Sequence, residues 1–357
     1  MFTESLARRA LRRTIAVADR FAAPHGIDRY VEQVAPTWSS TEVRGRIVDV
    51  DRSATGSVLL TIESNGNWTG FRAGQYTQLS VEIDGVRHTR CYSMASVAGR
   101  ARRFQLGVKA HPQGLVSQWL VANAAPGLVV SLTPSSGEFV LPDVRPERIL
   151  LISGGSGMTP VLSMLRSLCA EGHTGPVTFL HYNQSPEAVL CRDDIVALDH
   201  AHPNVRFIML YNELLTEAQL DGADPHWRAA DAFVCGPAGL MNGVRSLYEA
   251  AGAPERFHNE AFTLTAFIGE AGNVSGALRF GATGIEVASD GRTLLDQAEA
   301  AGLSPQNGCR MGICHTCPRK LSCGTVRNTV TGELTSDPGV DVRICVSVPV
   351  GDVEIDL

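Results

Sequence analysis

The chain has 357 residues, of which 44% are hydrophobic and 19% charged, with a net charge of −6 and nine cysteines. Such a composition packs two or three domains rather than a disordered chain. The acidic balance argues against nucleic acid as a partner, since phosphate binding needs a basic surface, and no uncharged apolar run reaches the roughly 18–20 residues that cross a bilayer.

Residues 1–40 stand apart as an N-terminal extension. Ser5 to Phe21 reads as a basic amphipathic helix, with Ala7, Leu11, Ile15 and Ala18 on one stripe and Arg8, Arg9, Arg12 and Arg13 off it. It is expected either to pack on the first domain or to dock on anionic lipid or an acidic partner. The first residues lack the apolar core of an export signal, which sets the expectation of a cytoplasmic protein, peripheral to the membrane if that helix meets lipid.

From 41 to 143 the pattern is β. Val43–Val50, Ser57–Glu63, Tyr76–Ile83, Arg87–Ser93 and Phe104–Lys109 are short, β-branched and closely spaced, with Asp84-Gly85 as a hairpin turn and one short helix at Leu115–Ala122. A small antiparallel β-barrel is expected. From 144 to 262 strands and helices alternate. Strands are expected at Ile149–Ile152, Val177–His181, Val205–Leu210 and Ala230–Val234, and helices at Pro186–His200 and Ala238–Ala251. That alternation is the mark of a doubly wound parallel α/β sheet. From 263 to 357 strands return, with one helix at Thr293–Ala301 ahead of a cysteine cluster.

Cys309, Cys314 and Cys317 follow C-x4-C-x2-C, and Cys345 lies downstream. This is the plant-type spacing for four thiolates on a two-iron, two-sulfur cluster. A loop containing Gly308 and Gly312 lets backbone amides face the sulfurs. Structural zinc is the rival, but it usually pairs two short C-x2–4-C hooks and only one is present. Cys323 is spare and reads as a packed thiol.

Gly154-Gly155-Ser156-Gly157-Met158-Thr159-Pro160 falls at a strand-to-helix junction, where glycines admit a pyrophosphate and a helix N-terminus receives it. Cys235-Gly236-Pro237 follows a later strand of the same sheet. In Arg90-Cys91-Tyr92-Ser93 an arginine can grip phosphate, an aromatic can stack on a flat ring, and a hydroxyl can bond a ring nitrogen. Gly114-Leu115-Val116-Ser117 opens the short helix and can seat another phosphate. Taken singly, each of these is equally an ordinary turn or strand end.

Taken in chain order, from Arg90–Ser93 through Gly114–Ser117, Gly154–Pro160 and Cys235–Pro237 to the cysteine cluster, the motifs resemble the ferredoxin–NADP⁺ reductase family of flavoproteins with a plant-type ferredoxin domain fused at the C-terminus. The resemblance covers roughly residues 40–357. It implies an FAD-binding barrel (41–143), an NAD(P)-binding α/β domain (144–262) and a β-grasp-like α+β ferredoxin domain (263–357). It implies that Tyr92 stacks on the flavin, Ser93 approaches flavin N5, and Arg90 holds the flavin phosphates. Lys109 and Gly114, Val116 and Ser117 line the ribityl and pyrophosphate path. Thr159 and Cys235 flank the nicotinamide, with Gly154, Gly155, Ser156 and Gly157 on its pyrophosphate and Gly236 and Pro237 beside it. Cys309, Cys314, Cys317 and Cys345 hold the cluster. Phe257-His258-Asn259-Glu260-Ala261-Phe262 resembles the family's join between nucleotide and ferredoxin domains; one of its aromatics shields the flavin, or the segment is a plain apolar hinge.

Electrons would pass from NAD(P)H through FAD and the 2Fe-2S cluster to a partner. Asn183, Gln184 and Ser185 stand where NADH readers place an acid, which leans toward NADPH, with Arg192 as a phosphate partner. Pro24–Tyr30, Thr37-Trp38-Ser39 and Thr89–Ser93 look like the actinobacterial reductases that serve membrane-bound acyl-CoA desaturases. The alternatives are the reductase component of a soluble Rieske or diiron oxygenase, and a flavin- and cluster-bearing redox sensor.

Overall fold

The computed structural model describes residues 27–112, 114–262, 276–308, 310, 312 and 316–357. The helix expected at Ser5–Phe21 lies outside them, as do Cys309 and Cys314.

A short helix, α1 (Ile27–Val31), leads into the barrel. The Asp28 carboxylate pins it there by accepting from the Ser39 hydroxyl, the Ser40 amide and the Ser40 hydroxyl. The barrel strands are β1 (Val43–Asp51), β2 (Ser57–Ser64), β3 (Tyr76–Ile83), β4 (Val86–Ser93) and β5 (Arg103–Lys109), then helix α2 (Leu115–Asn123) and β6 (Val129–Leu132). They form a sheet in the order β4-β3-β6-β1-β2-β5. A bridge between Met94 and Leu106 brings its two ends together. Strand β5 alternates cleanly: Phe104, Leu106 and Val108 are buried in the barrel, and Arg103, Gln105, Gly107 and Lys109 face outward.

The second unit runs β7 (Ile149–Gly154), α3 (Met158–Glu171), β8 (Val177–Asn183), α4 (Arg192–Ala201), β9 (Val205–Tyr211), α5 (Glu217–Ala223), β10 (Asp231–Cys235), α6 (Ala238–Ala250) and β11 (Phe257–Glu260). All its strands are parallel, in the order β11-β10-β7-β8-β9. Strand β7 is buried along its whole length, as expected for a strand covered on both faces. Helix α4 begins later than the sequence suggests. Pro186–Ala188 makes a separate 3-10 turn, and Cys191, at φ 55°, breaks the path before Arg192. Phe257–Glu260, within the segment read either as a flavin shield or as an apolar hinge, forms an edge strand paired with β10.

The third unit holds β12 (Ala277–Phe280), β13 (Ile285–Ala288), α7 (Leu294–Ala300), β14 (Pro318–Asn328), β15 (Leu334–Thr335), β16 (Asp341–Arg343) and β17 (Ser347–Ile355). The sheet order is β13-β12-β17-β14-β15, with β16 against β14 and only β12–β17 parallel. Helix α7 buries Leu294, Leu295 and Ala298 in the core of this unit. Cys323 is exposed, not packed. A register shift between Leu321 and Cys323 turns the β14 backbone there, so the thiol leaves the core that Leu321 enters.

Helix α3 ties the first two units together. The Ser163 hydroxyl donates to Ser96 O at 2.8 Å, Arg166 donates to Ala95 O and Gln105 Oε1, and Ser167 Oγ accepts from the Ala98 amide at 2.9 Å.

Candidate functional site

From β7 the chain winds outward through β8 to β9, then crosses back to place β10 on the other side of β7, so the crevice at the C-terminal ends of β7 and β10 is a topological switch point. The two loops that leave it touch backbone to backbone. A Cβ on Gly157 would stand 2.1 Å from Cys235 O, and one on Gly236 would stand 2.9 Å from Gly154 N. Gly154 has the Pro237 ring 2.7 Å from where its own Cβ would be. Side chains at these positions would fill the crevice, and their absence leaves amides and the start of α3 open to a diphosphate. Gly155 takes φ 53°. Thr159 is buried and donates its hydroxyl to Ser156 O at 3.2 Å.

Lys109 comes to this loop. Its Nζ would be 3.6 Å from a Cβ on Gly155, and it lines one cleft with Ser156, Thr159, Ala188 and Leu190. The ammonium therefore lies on the nucleotide side of the barrel. Behind the loop, His181 is fully buried, bonded to Ser153 Oγ at 2.8 Å and to Asn183 Nδ2 at 3.1 Å. Burial, reinforced by Lys109, pushes its pKa down to about 3, so it stays neutral at physiological pH. Asn183 spends its amide on His181 and Ala188 O, and its carbonyl oxygen accepts from the Gln184 amide. Arg192 is exposed at the first position of α4.

On the barrel, β4 alternation puts Arg90 and Tyr92 on one face and Ser93 on the other. Tyr92 packs beside the barrel core, and burial raises its pKa against the pull of Arg90. Arg90 donates to Thr89 O and, at 3.4 Å, to Gly308 O, the carbonyl just before Cys309. One side chain thus joins the flavin motif to the cluster loop. At the start of α2, Ser117 Oγ accepts from the His111 amide and donates to Gly114 O. The Val116 side chain is buried in the barrel core, so only its amide can face a ligand.

A group that the sequence analysis missed lies where the barrel meets the nucleotide sheet. Glu260, at the end of β11, is the register partner of Cys235 on β10. Burial pushes its pKa up from 4.5 to about 8, opposed weakly by the nearby Ser93 hydroxyl. Cys235 is fully buried and its pKa is also raised, first by burial and then by Glu260. Ser93 Oγ and Glu260 Oε2 are both buried and, among the described residues, neither has a hydrogen bond of full geometry, although the Ser93 hydroxyl lies near enough to favour the ionised carboxylate. Two orphaned polar atoms at a domain seam are what a polar ring edge would satisfy. A carboxylate within the F-H-N-E-A-F motif is the sequence signal for Glu260, which stands among the motif's aromatics. Of these, Phe257 packs in the core on the α6 side of the sheet, and Phe262 packs against the core shared by α3, β7 and the barrel residues Leu59 and Ala95.

At the third site, Cys317 and Cys345 are 2% and 3% exposed. The Ile344 amide donates to Cys317 O, which sets the two cysteine segments side by side. Arg310 and Gly312 both have left-handed backbone, at φ 58° and 71°. Arg310 pairs with Glu299, and Arg343 donates to Gly312 O. Two buried thiols beside a tightly wound, tethered loop suit an iron–sulfur cluster.

The chain matches family models for an oxidoreductase FAD-binding domain over residues 53–141, an oxidoreductase NAD-binding domain over 151–246 and a 2Fe-2S iron-sulfur cluster binding domain over 281–350. It is 37% identical over 353 residues to an NADPH oxidoreductase of Mycobacterium tuberculosis, covering 96% of this chain and 91% of the relative. It is 30% identical to the glycine betaine monooxygenase reductase subunit of Pseudomonas aeruginosa, covering 80% of this chain and 87% of that one. The ferredoxin reductase component of the 3-ketosteroid-9-alpha-monooxygenase of Rhodococcus rhodochrous is also 30% identical, over 69% of this chain and 76% of that protein. Among solved structures, phthalate dioxygenase reductase shares the fold with a TM-score of 0.63 at 23% identity, over 88% of this chain and 97% of its own. The chain belongs to the ferredoxin reductase family and is an NAD(P)H oxidoreductase that joins FAD-binding, NAD-binding and 2Fe-2S domains in one electron-transfer reductase.

Proposed function

We propose that this reductase draws electrons from NADPH and delivers them, one at a time, to a membrane-bound diiron fatty-acyl desaturase, with 41–143, 144–262 and 263–357 as its working units. The observation that carries the electron path is the meeting of Ser93, Cys235 and Glu260 at the seam of two units, with Arg90 reaching the cluster loop of the third. Bound FAD supplies the conversion of a two-electron donor into single electrons. Thr159 and Cys235 flank the nicotinamide, Lys109 and the Gly154–Gly157 loop hold its phosphates, and Ser93 faces the flavin edge. Arg90, Tyr92 and the Gly114–Ser117 turn hold the FAD. Cys309, Cys314, Cys317 and Cys345 ligate the cluster.

Oxidising NAD(P)H by two electrons leaves one proton behind. Glu260 is the buried carboxylate placed to take it, across Ser93 Oγ. NADPH is favoured because residues 183–185 offer no carboxylate for ribose hydroxyls and Arg192 stands exposed nearby in sequence. The desaturase reading is supported by the likeness of the Pro24–Tyr30 and Thr37–Ser39 segments to desaturase-serving reductases, while similarity to the M. tuberculosis NADPH oxidoreductase along nearly the whole chain supports NADPH as the donor.

A soluble oxygenase is the second reading, favoured by two relatives whose names make them reductase parts of monooxygenases. Among the described residues no helix is long and apolar enough to cross a membrane. Purified holoprotein mixed with desaturase-bearing membranes, NADPH and a saturated acyl-CoA should yield the unsaturated product. Product formation only with a soluble ring oxygenase would overturn the desaturase reading in favour of the second.

A further inference from the structure

Three successive outward positions of β5 meet the turn from β7 into α3. Gln105 bonds Arg166 of α3 at 2.9 Å, Lys109 lies against Gly155, and between them Gly107 faces Thr159 and Leu190. A Cβ on Gly107 would stand 2.4 Å from Thr159 Cγ2 and 2.5 Å from Leu190 Cδ2. The leucine methyl is the far end of a flexible side chain and can swing away. The threonine methyl sits on a β-branched, buried residue whose hydroxyl is already bonded to Ser156 O, so it has nowhere to rotate. Nor can the turn tilt freely, because Ser163, Arg166 and Ser167 tie α3 to barrel residues 95–98 and 105.

We propose that Gly107 is a positioning residue for hydride transfer: with no side chain between them, Thr159 seats directly on β5, and this sets how deep the nicotinamide-binding loop stands against the barrel. The inference rests on the reductase reading above. It is distinct from phosphate or flavin binding, since Gly107 offers no polar side chain to either. Any methyl at this position lifts Thr159 away from the barrel, by up to about the 1 Å scale at which reacting groups lose near-attack geometry.

The test is Gly107→Ala in the full FAD- and cluster-loaded protein, read by anaerobic stopped-flow with NADPH. The limiting rate of flavin bleaching should fall at least about tenfold while the half-saturating NADPH concentration changes far less. The long-wavelength charge-transfer absorbance of the nucleotide–flavin complex should weaken, with FAD and iron content unchanged. Adding Thr159→Ser, which removes the colliding methyl and keeps the hydroxyl, should make Gly107→Ala less harmful than it is beside Thr159. Wild-type bleaching rate in Gly107→Ala, or a loss that merely tracks missing FAD, would overturn the proposal. If the unaltered protein were bleached by neither NADPH nor NADH, the reductase reading would fall and this inference with it.

Discussion

Cys345→Ser should abolish reduction of a one-electron protein acceptor, by at least about 10²-fold, yet leave NADPH-to-ferricyanide activity within about twofold. Cys345 is 3% exposed and its segment is bonded to that of Cys317 through Ile344. A hydroxyl there is a poor iron ligand, and the cluster should be lost or rebuilt with altered absorbance. The nucleotide crevice and the Ser93 seam belong to other units and should keep oxidising NADPH. Iron content, flavin content and both activities are measured on the same preparation. Loss of ferricyanide reduction while FAD stays bound would show that the cluster lies upstream of the flavin exit, contrary to the order argued here.

Glu260→Gln should lower turnover with a one-electron acceptor by about 10²-fold at pH 8, the low end of what a positioned proton-transfer group contributes. The sign with pH follows from the raised pKa. A carboxyl that ionises near pH 8 instead of 4.5 accepts a proton only in its ionised form, so wild-type turnover should climb with pH and level off above about 8. The glutamine variant should show no such climb. Stability moves the opposite way. The unfolded chain gives up this proton near 4.5 and the folded chain near 8, so folding stability falls as pH rises between the two and then stays level. Melting temperatures of Glu260→Gln should therefore lack that component of the decline. A flat wild-type rate profile, or an unchanged profile in the variant, would remove Glu260 from the proton path.

Much of the fold was legible because it is written in local pattern. The β5 alternation, the buried run of β7 and the glycines after it each announce their own geometry. Elements with little local signal were missed. Strand β6 is four residues long, and β11 reads Phe-His-Asn-Glu with no apolar alternation; it forms because β10 offers a free edge. Helix α5 does carry a local signal, the capping box between Thr216 and Gln219. The late start of α4 depends on one left-handed cysteine that no periodicity reveals.

The site divides in the same way. Cysteine spacing and Gly-rich turns are sequence patterns, whereas the raised pKa of Glu260 exists only once β11 lies beside β10 and the barrel closes over both. Gly107 had a faint signal, since an isolated glycine inside a strand marks close approach of another chain segment. Which segment approaches is a tertiary fact. The exposure of Cys323 likewise depends on a bulge and not on residue type.

The proposed function requires that NADPH, FAD and the cluster form one ordered electron path. An anaerobic titration of the holoprotein with NADPH, and separately with NADH, followed by visible absorbance, tests it most directly. Flavin and cluster bands should both bleach, with NADPH acting at the lower concentration. Flavin bleaching that leaves the cluster absorbance oxidised would show that the flavin does not pass its electrons to the cluster.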